Sequence, residues 1–140
     1  MNNIHATLIS YEHNGILFIG KSGTGKSDLA LRMIMQNNAL LVSDDYVNLD
    51  VINNCLYGSA PQEIAGKLEV RGIGIIPFNN KNSEKITLCV ELLEKREDVE
   101  RLPEAEYYDF LGVSVPKIKL YAFDCSTSCK IIAKISSIIS

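Results

Sequence analysis

A glycine-rich segment between two apolar stretches sets the tightest limit on the fold. Residues 20–27 read Gly-Lys-Ser-Gly-Thr-Gly-Lys-Ser. They match the P-loop pattern, in which glycines let backbone N–H groups wrap a phosphate at a helix N-terminus. The apolar run 16–19 before it is typical of a strand buried on both faces. In residues 26–37 polar side chains recur every fourth position, which predicts a mostly buried helix. The expected fold class is therefore α/β, a P-loop nucleotide-binding fold with a central mixed sheet.

The same segment predicts a nucleotide site. In this pattern Lys26 bridges the outer phosphates and the Ser27 hydroxyl reaches Mg²⁺, so the expected cofactors are ATP and Mg²⁺. The alternative is a glycine turn that links strand to helix and binds nothing. The expected nucleotide-binding residues are Gly20, Lys21, Ser22, Gly23, Thr24, Gly25, Lys26 and Ser27.

The rest of the chain predicts further strands and a final helix. We expect one strand over Ile4–Tyr11 and a hairpin turn at Asn14-Gly15. A second buried run, residues 39–42, completes a strand–helix–strand unit. Further strands are expected at 46–52, 55–58, 70–78, 85–93 and 113–121, with a turn at Asn53-Asn54, and the spacing of isoleucines over 131–139 predicts a helix.

Composition, net charge and the lengths of apolar runs argue against several classes of protein. The 140 residues, of which 46% are apolar, are expected to form a single domain over 1–140. A net charge of −3 argues against a nucleic-acid binder. No apolar run reaches the roughly 18 residues of a membrane span and no signal peptide is evident, so a cytoplasmic protein is expected. The four cysteines form no Cys-x-x-Cys pair and are expected to be reduced, mostly buried thiols.

Two acidic residues follow the second buried run. Asp44 and Asp45 are expected beside the glycine-rich segment, because the carboxyl ends of parallel strands face one crevice. One carboxylate could help to hold Mg²⁺ while the other accepts a proton from an attacking hydroxyl. The alternative is a solvated turn, in which aspartate is common for its own reasons.

Residues 68–74, Leu-Glu-Val-Arg-Gly-Ile-Gly, form a second informative stretch. If the stretch is extended, Glu69 and Arg71 point to one face. Gly72 and Gly74 then allow another backbone or a substrate to come close. Alone, this spacing is usually explained by an exposed Glu-Arg pair on a strand.

Together these motifs resemble the catalytic domain of bacterial HPr kinase/phosphorylase. The resemblance rests on residues 20–27, the Asp-Asp-Tyr-Val run from Asp44, the Gly-Ser-Ala-Pro run from Gly58, and residues 68–75. It extends from about His5 to Lys119. It implies an ATP-dependent protein kinase, unrelated in structure to eukaryotic protein kinases, that phosphorylates a serine of the phosphocarrier HPr. It also implies a homo-oligomer, a hexamer in the family.

The resemblance implies roles for individual residues. Lys26 resembles the phosphate lysine, and Asp45 the base that deprotonates the serine. His5 matches a family histidine on the strand that enters the site, and Arg101 resembles a catalytic arginine suited to charge on a phosphoryl group. The implied catalytic residues are His5, Lys26, Asp45 and Arg101. The Mg²⁺ ligands implied by the family are Ser27 and Glu69, with Asp44 added from its position.

The sequence departs from the longer family members. Those members carry an N-terminal regulatory domain, and the resemblance here is to a short form, so a single-domain member is expected. In residues 121–130, where long members carry a basic loop associated with dephosphorylation, there is no arginine and Lys130 alone is basic. Phosphorolysis of phosphorylated HPr is therefore left open.

Two other functions also fit the sequence. One is a small-molecule kinase with the same P-loop and a metabolite hydroxyl as acceptor. The other is a nucleotide-sensing module that binds ATP and signals without transfer. Turnover that depends on a metabolite and ignores HPr would identify the first. Loss of partner binding on Lys26→Ala, with no turnover, would identify the second.

Overall fold

The computed structural model describes residues 2–139. Strands β1 to β11 span Asn2–His5, Thr7–Tyr11, Asn14–Ile19, Leu40–Ser43, Tyr46–Ile52, Cys55–Ser59, Lys67–Val70, Gly74–Pro77, Ser83–Leu92, Glu106–Phe110 and Val113–Leu120. Helices α1 and α2 span Lys26–Asn37 and Thr127–Ile139, and two short 3-10 turns span Gln62–Ile64 and Arg96–Asp98.

The central sheet is mixed, as expected. Its main path runs β1-β5-β6-β9-β3-β2-β4, and β11 and β10 join it through β9. Strand β9 pairs in parallel with both β3 and β11 and antiparallel with β6. Strand β2 lies between β3 and β4 and is antiparallel to both. The carboxyl ends of β3, β4, β9 and β11 therefore point to the same edge of the sheet.

Alternate residues of the central strands enter two hydrophobic clusters, one on each side of the sheet. Ile16 and Phe18 belong to the cluster that contains residues of α1 and α2. Leu17 belongs to the other cluster, with residues of β4, β5 and β6. All three side chains are fully buried. The prediction of a strand covered on both faces is confirmed, and its uninterrupted apolar run follows from that burial.

Both predicted helices are present. Helix α1 has the predicted bounds, and Arg32 Nη2 lies 3.3 Å from Asp28 Oδ2 on its exposed side. It is capped by Asn38, whose left-handed backbone directs its N–H to the carbonyl of Met33. Helix α2 buries Ile131 and Ile135 against the sheet. Neither helix in residues 2–139 has the length and apolar content needed to cross a membrane.

The expected strand over Ile4–Tyr11 is two strands. The chain breaks at Ala6, where β1 leaves to pair with β5 and β2 goes on to pair with β3 and β4. The expected turn at Asn14-Gly15 is also wrong. The turn lies two residues earlier, at residues 12–13, which both have positive φ. Gly15 lies inside β3, where a Cβ would come within 2.5 Å of a backbone oxygen of β9.

The expected strand over residues 70–78 is a hairpin. Strands β7 and β8 pair antiparallel around a turn at residues 71–73. Gly72 and Gly74 have φ of 91° and 123°, which side chains rarely adopt. These glycines therefore turn the chain, and Glu69 and Arg71 do not share one extended strand.

The cysteines are less buried than expected. All four are free thiols, which agrees with the prediction. Cys89 is buried in β9 and Cys55 is half-buried, but Cys125 and Cys129 are exposed. The exposed pair lies where the chain turns into α2, at the surface of the molecule, so composition alone was a poor guide to burial there.

Candidate active site

The glycine-rich loop (residues 20–27) joins the end of β3 to the start of α1. Its glycines at 20, 23 and 25 have φ of 145°, 83° and 98°, values that favour glycine. A Cβ on Gly20 would lie 2.7 Å from the carbonyl oxygen of Leu92. Helix α1 has no side-chain cap at its N-terminus. Its first N–H groups therefore remain available to an anion.

Lys26 is buried beneath this loop. Its Nζ donates hydrogen bonds to the carbonyl oxygens of Gly20, at 2.7 Å, and Lys21, at 3.1 Å. Burial lowers the pKa of Lys26, and the nearby charges of Asp45 and Asp44 only partly oppose this. A cation held in this way is poorly solvated, so an anionic ligand beside Nζ would be strongly favoured.

Asp44 is buried and holds the first turn of α1. Its Oδ1 accepts a hydrogen bond from Ser27 Oγ at 2.7 Å and another from Thr7 Oγ1 at 2.9 Å. The expectation that this carboxylate lies beside the loop is confirmed. The two bonds fix the orientation of the Ser27 hydroxyl relative to the loop.

Asp45 has a different environment from its neighbour. Its backbone is left-handed, with φ of 74°, and its carbonyl accepts a hydrogen bond from the Ala6 N–H. This conformation turns the side chain toward solvent, where it is 66% exposed. His5 Nε2 lies 3.1 Å from Asp45 Oδ1. The carboxylate is thus accessible but held in place.

These groups surround one cavity of about 360 Å³, here called the phosphate cavity. The β7–β8 hairpin forms one side with Glu69 and Arg71, and the segment after β11 forms another with Phe123. The residues that line the cavity are His5, Thr7, Ser22, Gly23, Gly25, Lys26, Ser27, Asp28, Leu31, Asp45, Glu69, Val70, Arg71 and Phe123.

Most of the predicted site residues meet here. His5, Lys26, Ser27, Asp45 and Glu69 line the phosphate cavity, and Asp44 is bonded to Ser27 at its edge. Arg101 is not among the residues that line the phosphate cavity. That residue is exposed in the segment between the second 3-10 turn and β10. Its catalytic role stays a prediction.

The sequence did not assign to the site six of the residues that line the cavity: Thr7, Asp28, Leu31, Val70, Arg71 and Phe123. Thr7 bonds Asp44 from β2, but within an apolar strand a single threonine gives no signal of its own. Phe123 lies beyond the carboxyl end of β11. The rule that located the two aspartates also applies to that strand, so Phe123 could have been found by it.

The donor groups around the cavity suit Mg²⁺. Ser27, Asp44 and Glu69 offer hydroxyl and carboxylate oxygens, the ligands that this ion prefers. Within residues 2–139 no group of three or more histidine, cysteine or acidic side chains is arranged to hold a metal alone. In proteins Mg²⁺ commonly keeps several waters and is bound by one or two carboxylates together with substrate phosphates.

A comparison with protein families gives a match over almost the whole chain. The HPr Serine kinase C-terminal domain matches residues 1–137. The chain belongs to this family. The resemblance drawn from the glycine-rich loop and residues 68–75 is confirmed.

Two relatives show how far the likeness extends. The HPr kinase/phosphorylase of Caldanaerobacter subterraneus subsp. tengcongensis is 39% identical over 128 residues, which cover 84% of this chain and 42% of the relative. That of Caldicellulosiruptor bescii is 36% identical over 125 residues, which cover 81% and 40%. The chain therefore spans about two fifths of the length of these relatives.

The family fold is also seen in a solved structure. The Hpr(Ser) kinase/phosphatase from Coxiella burnetii superposes with a TM-score of 0.84 at 28% sequence identity. The match covers 99% of this chain and 97% of that one. The mixed α/β fold is thus shared over nearly the full length of both chains.

Proposed function

We propose that this chain, over residues 1–140, is the catalytic domain of a protein kinase that transfers the γ-phosphoryl group of ATP to a serine of HPr. We propose that it acts in the cytoplasm as a homo-oligomer and uses Mg²⁺. The names of its relatives supply the acceptor protein, and the residues around the phosphate cavity supply the chemistry.

One observation carries the proposal. Two adjacent carboxylates beside the glycine-rich loop have opposite surroundings. Asp44 is buried and bonded to Ser27, whereas Asp45 is open to solvent at the mouth of the cavity. A buried carboxylate bonded to a hydroxyl suits a metal site, and an exposed one that is held in place suits a base that must meet an incoming hydroxyl.

In the proposed reaction the glycine-rich loop and Lys26 hold the phosphates of ATP, with Ser27, Asp44 and Glu69 as Mg²⁺ ligands. When bound, Mg²⁺ neutralises charge on the phosphate oxygens. Asp45 accepts the proton of the serine hydroxyl. The serine oxygen bonds to the γ-phosphorus, the bond to the bridging oxygen breaks, and ADP leaves. His5 keeps Asp45 aimed at the acceptor.

Arg101 remains in the proposal as the residue that stabilises charge on the transferred group. Because it does not line the cavity in its own chain, this role requires the segment before β10 to move or a neighbouring subunit to supply the arginine. A homo-hexamer, which the family resemblance implies, would provide such neighbours.

The test is transfer of label from γ-labelled ATP to HPr in the presence of Mg²⁺. We expect labelling of wild-type HPr and none of HPr whose acceptor serine is alanine. Asp45→Asn should lower transfer by about 10²–10⁴-fold and leave ATP binding intact. The matched control is Asp50→Asn, an exposed aspartate on β5 that lies outside the cavity.

Three results would overturn the proposal. Full labelling of HPr by Asp45→Asn would show that Asp45 is not the base. Turnover that needs a metabolite and ignores HPr would make the chain a small-molecule kinase. ATP binding with no turnover would make it a sensing module. Release of label on addition of inorganic phosphate would show that the reverse reaction is retained.

A further inference from the structure

A half-exposed aromatic ring lies at the edge of the phosphate cavity. Phe123 is 51% exposed, although it lines a cavity whose other residues are largely polar or glycine. Its ring lies against the start of α1, since a Cβ on Gly25 would come within 2.8 Å of Phe123 Cζ. Gly25 therefore allows both the left-handed backbone of the loop and the close approach of the Phe123 ring.

The segment that carries Phe123 is held from two sides. Arg32 of α1 donates hydrogen bonds to the carbonyl oxygens of Ala122 and Asp124. Arg96 Nη2 lies 2.6 Å from Asp124 Oδ1. These contacts fix the backbone on both sides of Phe123, so the position of the ring is set before any ligand arrives.

A second aromatic side chain supports the ring. Tyr121 meets Phe123 edge to face, with centroids 5.6 Å apart and planes at 74°. The Arg96 guanidinium covers Tyr121 in turn, 5.6 Å from its centroid. These contacts hold the Phe123 side chain in place and leave about half of its surface exposed.

Two parts of the cavity lining can be told apart. His5 and Asp45 lie 3.1 Å apart, where the proposed acceptor hydroxyl meets its base. Phe123 comes from another segment, after β11, and lies against Gly25 at the start of α1. Phosphates held by the glycine-rich loop, with the γ-phosphate toward Asp45, would leave the nucleoside beside the start of α1, where Phe123 lies.

We propose that Phe123 is the stacking platform for the purine base of the nucleotide. This inference rests on the proposed function, because it takes the loop to be the phosphate site. A free aromatic face beside a phosphate site matches the flat face of a base, and such stacking is worth about 1–3 kcal/mol per base. It makes Phe123 a binding residue for the nucleoside half of ATP.

The test compares ATP with inorganic triphosphate, which has the phosphates but no base. With Mg²⁺ present, Phe123→Ala should weaken ATP binding by about 5- to 150-fold, the range that such a stack gives. Binding of inorganic triphosphate should stay unchanged. Phe123→Trp should bind ATP as well as the wild type does, because the indole retains a flat aromatic face.

The tryptophan variant also gives a direct signal. The chain contains no tryptophan, so Trp fluorescence would report on position 123 alone. ATP should quench it and inorganic triphosphate should not. The control is Tyr107→Trp, a similarly exposed position (57%) on β10 outside the phosphate cavity, whose fluorescence should respond to neither ligand.

Equal weakening of both ligands by Phe123→Ala would overturn the inference, because the ring would then only support the loop through Gly25. ATP binding by Phe123→Trp without a change in fluorescence would place the base elsewhere and also overturn it. Both results leave the proposed function standing. Failure of the wild-type chain to bind ATP and triphosphate alike would overturn the proposed function, and this inference with it.

Discussion

His5 Nε2 lies 3.1 Å from Asp45 Oδ1 and joins the end of β1 to the turn between β4 and β5. The same turn is held by the backbone, where the Ala6 N–H donates to the Asp45 carbonyl. His5 also contacts the ring of Tyr46, with centroids 5.5 Å apart. The break between β1 and β2 therefore places His5 where it can orient Asp45.

Removing the His5 imidazole should slow transfer and spare binding. We expect His5→Ala to lower kcat for HPr phosphorylation by about 10- to 100-fold, since a small misplacement of a reacting group has effects of this size. The KM for ATP should not change. Steady-state kinetics would measure both. The matched control is His13→Ala, the other histidine of the chain, which lies outside the cavity and should leave kcat unchanged. An equal effect of both variants would contradict this role.

Lys26 should strengthen ATP binding and lower the free energy of unfolding. Because burial lowers its pKa, its charge is less favourable in the folded protein than in the unfolded chain. Lys26→Met should weaken ATP binding by more than about 100-fold, as expected for a lost charge-assisted contact of about 3 kcal/mol. Its free energy of unfolding should equal or exceed that of the wild type at pH 7. Calorimetry and urea unfolding test this, with the exposed Lys67→Met on β7 as control. A strongly destabilised Lys26→Met would contradict the prediction.

Glu84 should make stability depend on pH. Burial raises the pKa of Glu84, but hydrogen bonds from Lys81 and Ser10, at 2.6 and 2.7 Å, and from the Lys85 N–H outweigh burial. The pKa in the folded protein therefore lies below its ordinary value. The ionised carboxylate then stabilises the fold above the pKa of the unfolded chain, about 4.3, and this is lost as the pH falls through the folded value.

Urea unfolding of Glu84→Gln at pH 7 and at acid pH tests the sign. At pH 7 we expect the free energy of unfolding of Glu84→Gln to be about 1–3 kcal/mol below that of the wild type. In acid the difference between the two proteins should be smaller. The exposed Glu63→Gln should follow the wild type at both pH values. A deficit for Glu84→Gln that persists unchanged in acid would show that its charge is not responsible.

The exposed and the buried thiols should react at different rates. Cys125 and Cys129 are exposed and should react with a colorimetric thiol reagent within the mixing time at neutral to mildly alkaline pH. Burial raises the pKa of Cys89 to about 12, so this thiol should react only when the protein unfolds. Cys89→Ser should remove the phase that appears only on unfolding and leave the fast phase of Cys125 and Cys129 unchanged. A fast phase that includes Cys89 would contradict its burial in the sheet.

The part of the fold nearest the glycine-rich loop could be predicted from the sequence. The apolar run of β3 and the polar stripe of α1 are local signals, and the bounds of α1 were predicted correctly. The break at Ala6 has no such signal. It depends on which distant strands β1 and β2 pair with, and pairing of that kind is set by tertiary structure.

In the candidate site, too, some residues could be predicted from local sequence and others depend on tertiary structure. Asp44 and Asp45 follow a buried strand, and the rule for the edge of a sheet located them. Phe123 follows another strand at the same edge, but its contact with Gly25 depends on how the segment after β11 folds back over α1. Arg101 was assigned by resemblance alone, and no local pattern indicates where its segment lies.

Strand β9 belongs to both hydrophobic clusters, since Leu88 and Val90 face one and Ile86 and Cys89 the other. A break within β9 would therefore open both clusters at once. Reporter tags or engineered insertions belong instead at the hairpin tips, such as residues 12–13, 53–54 and 111–112, where extra chain would leave the sheet undisturbed.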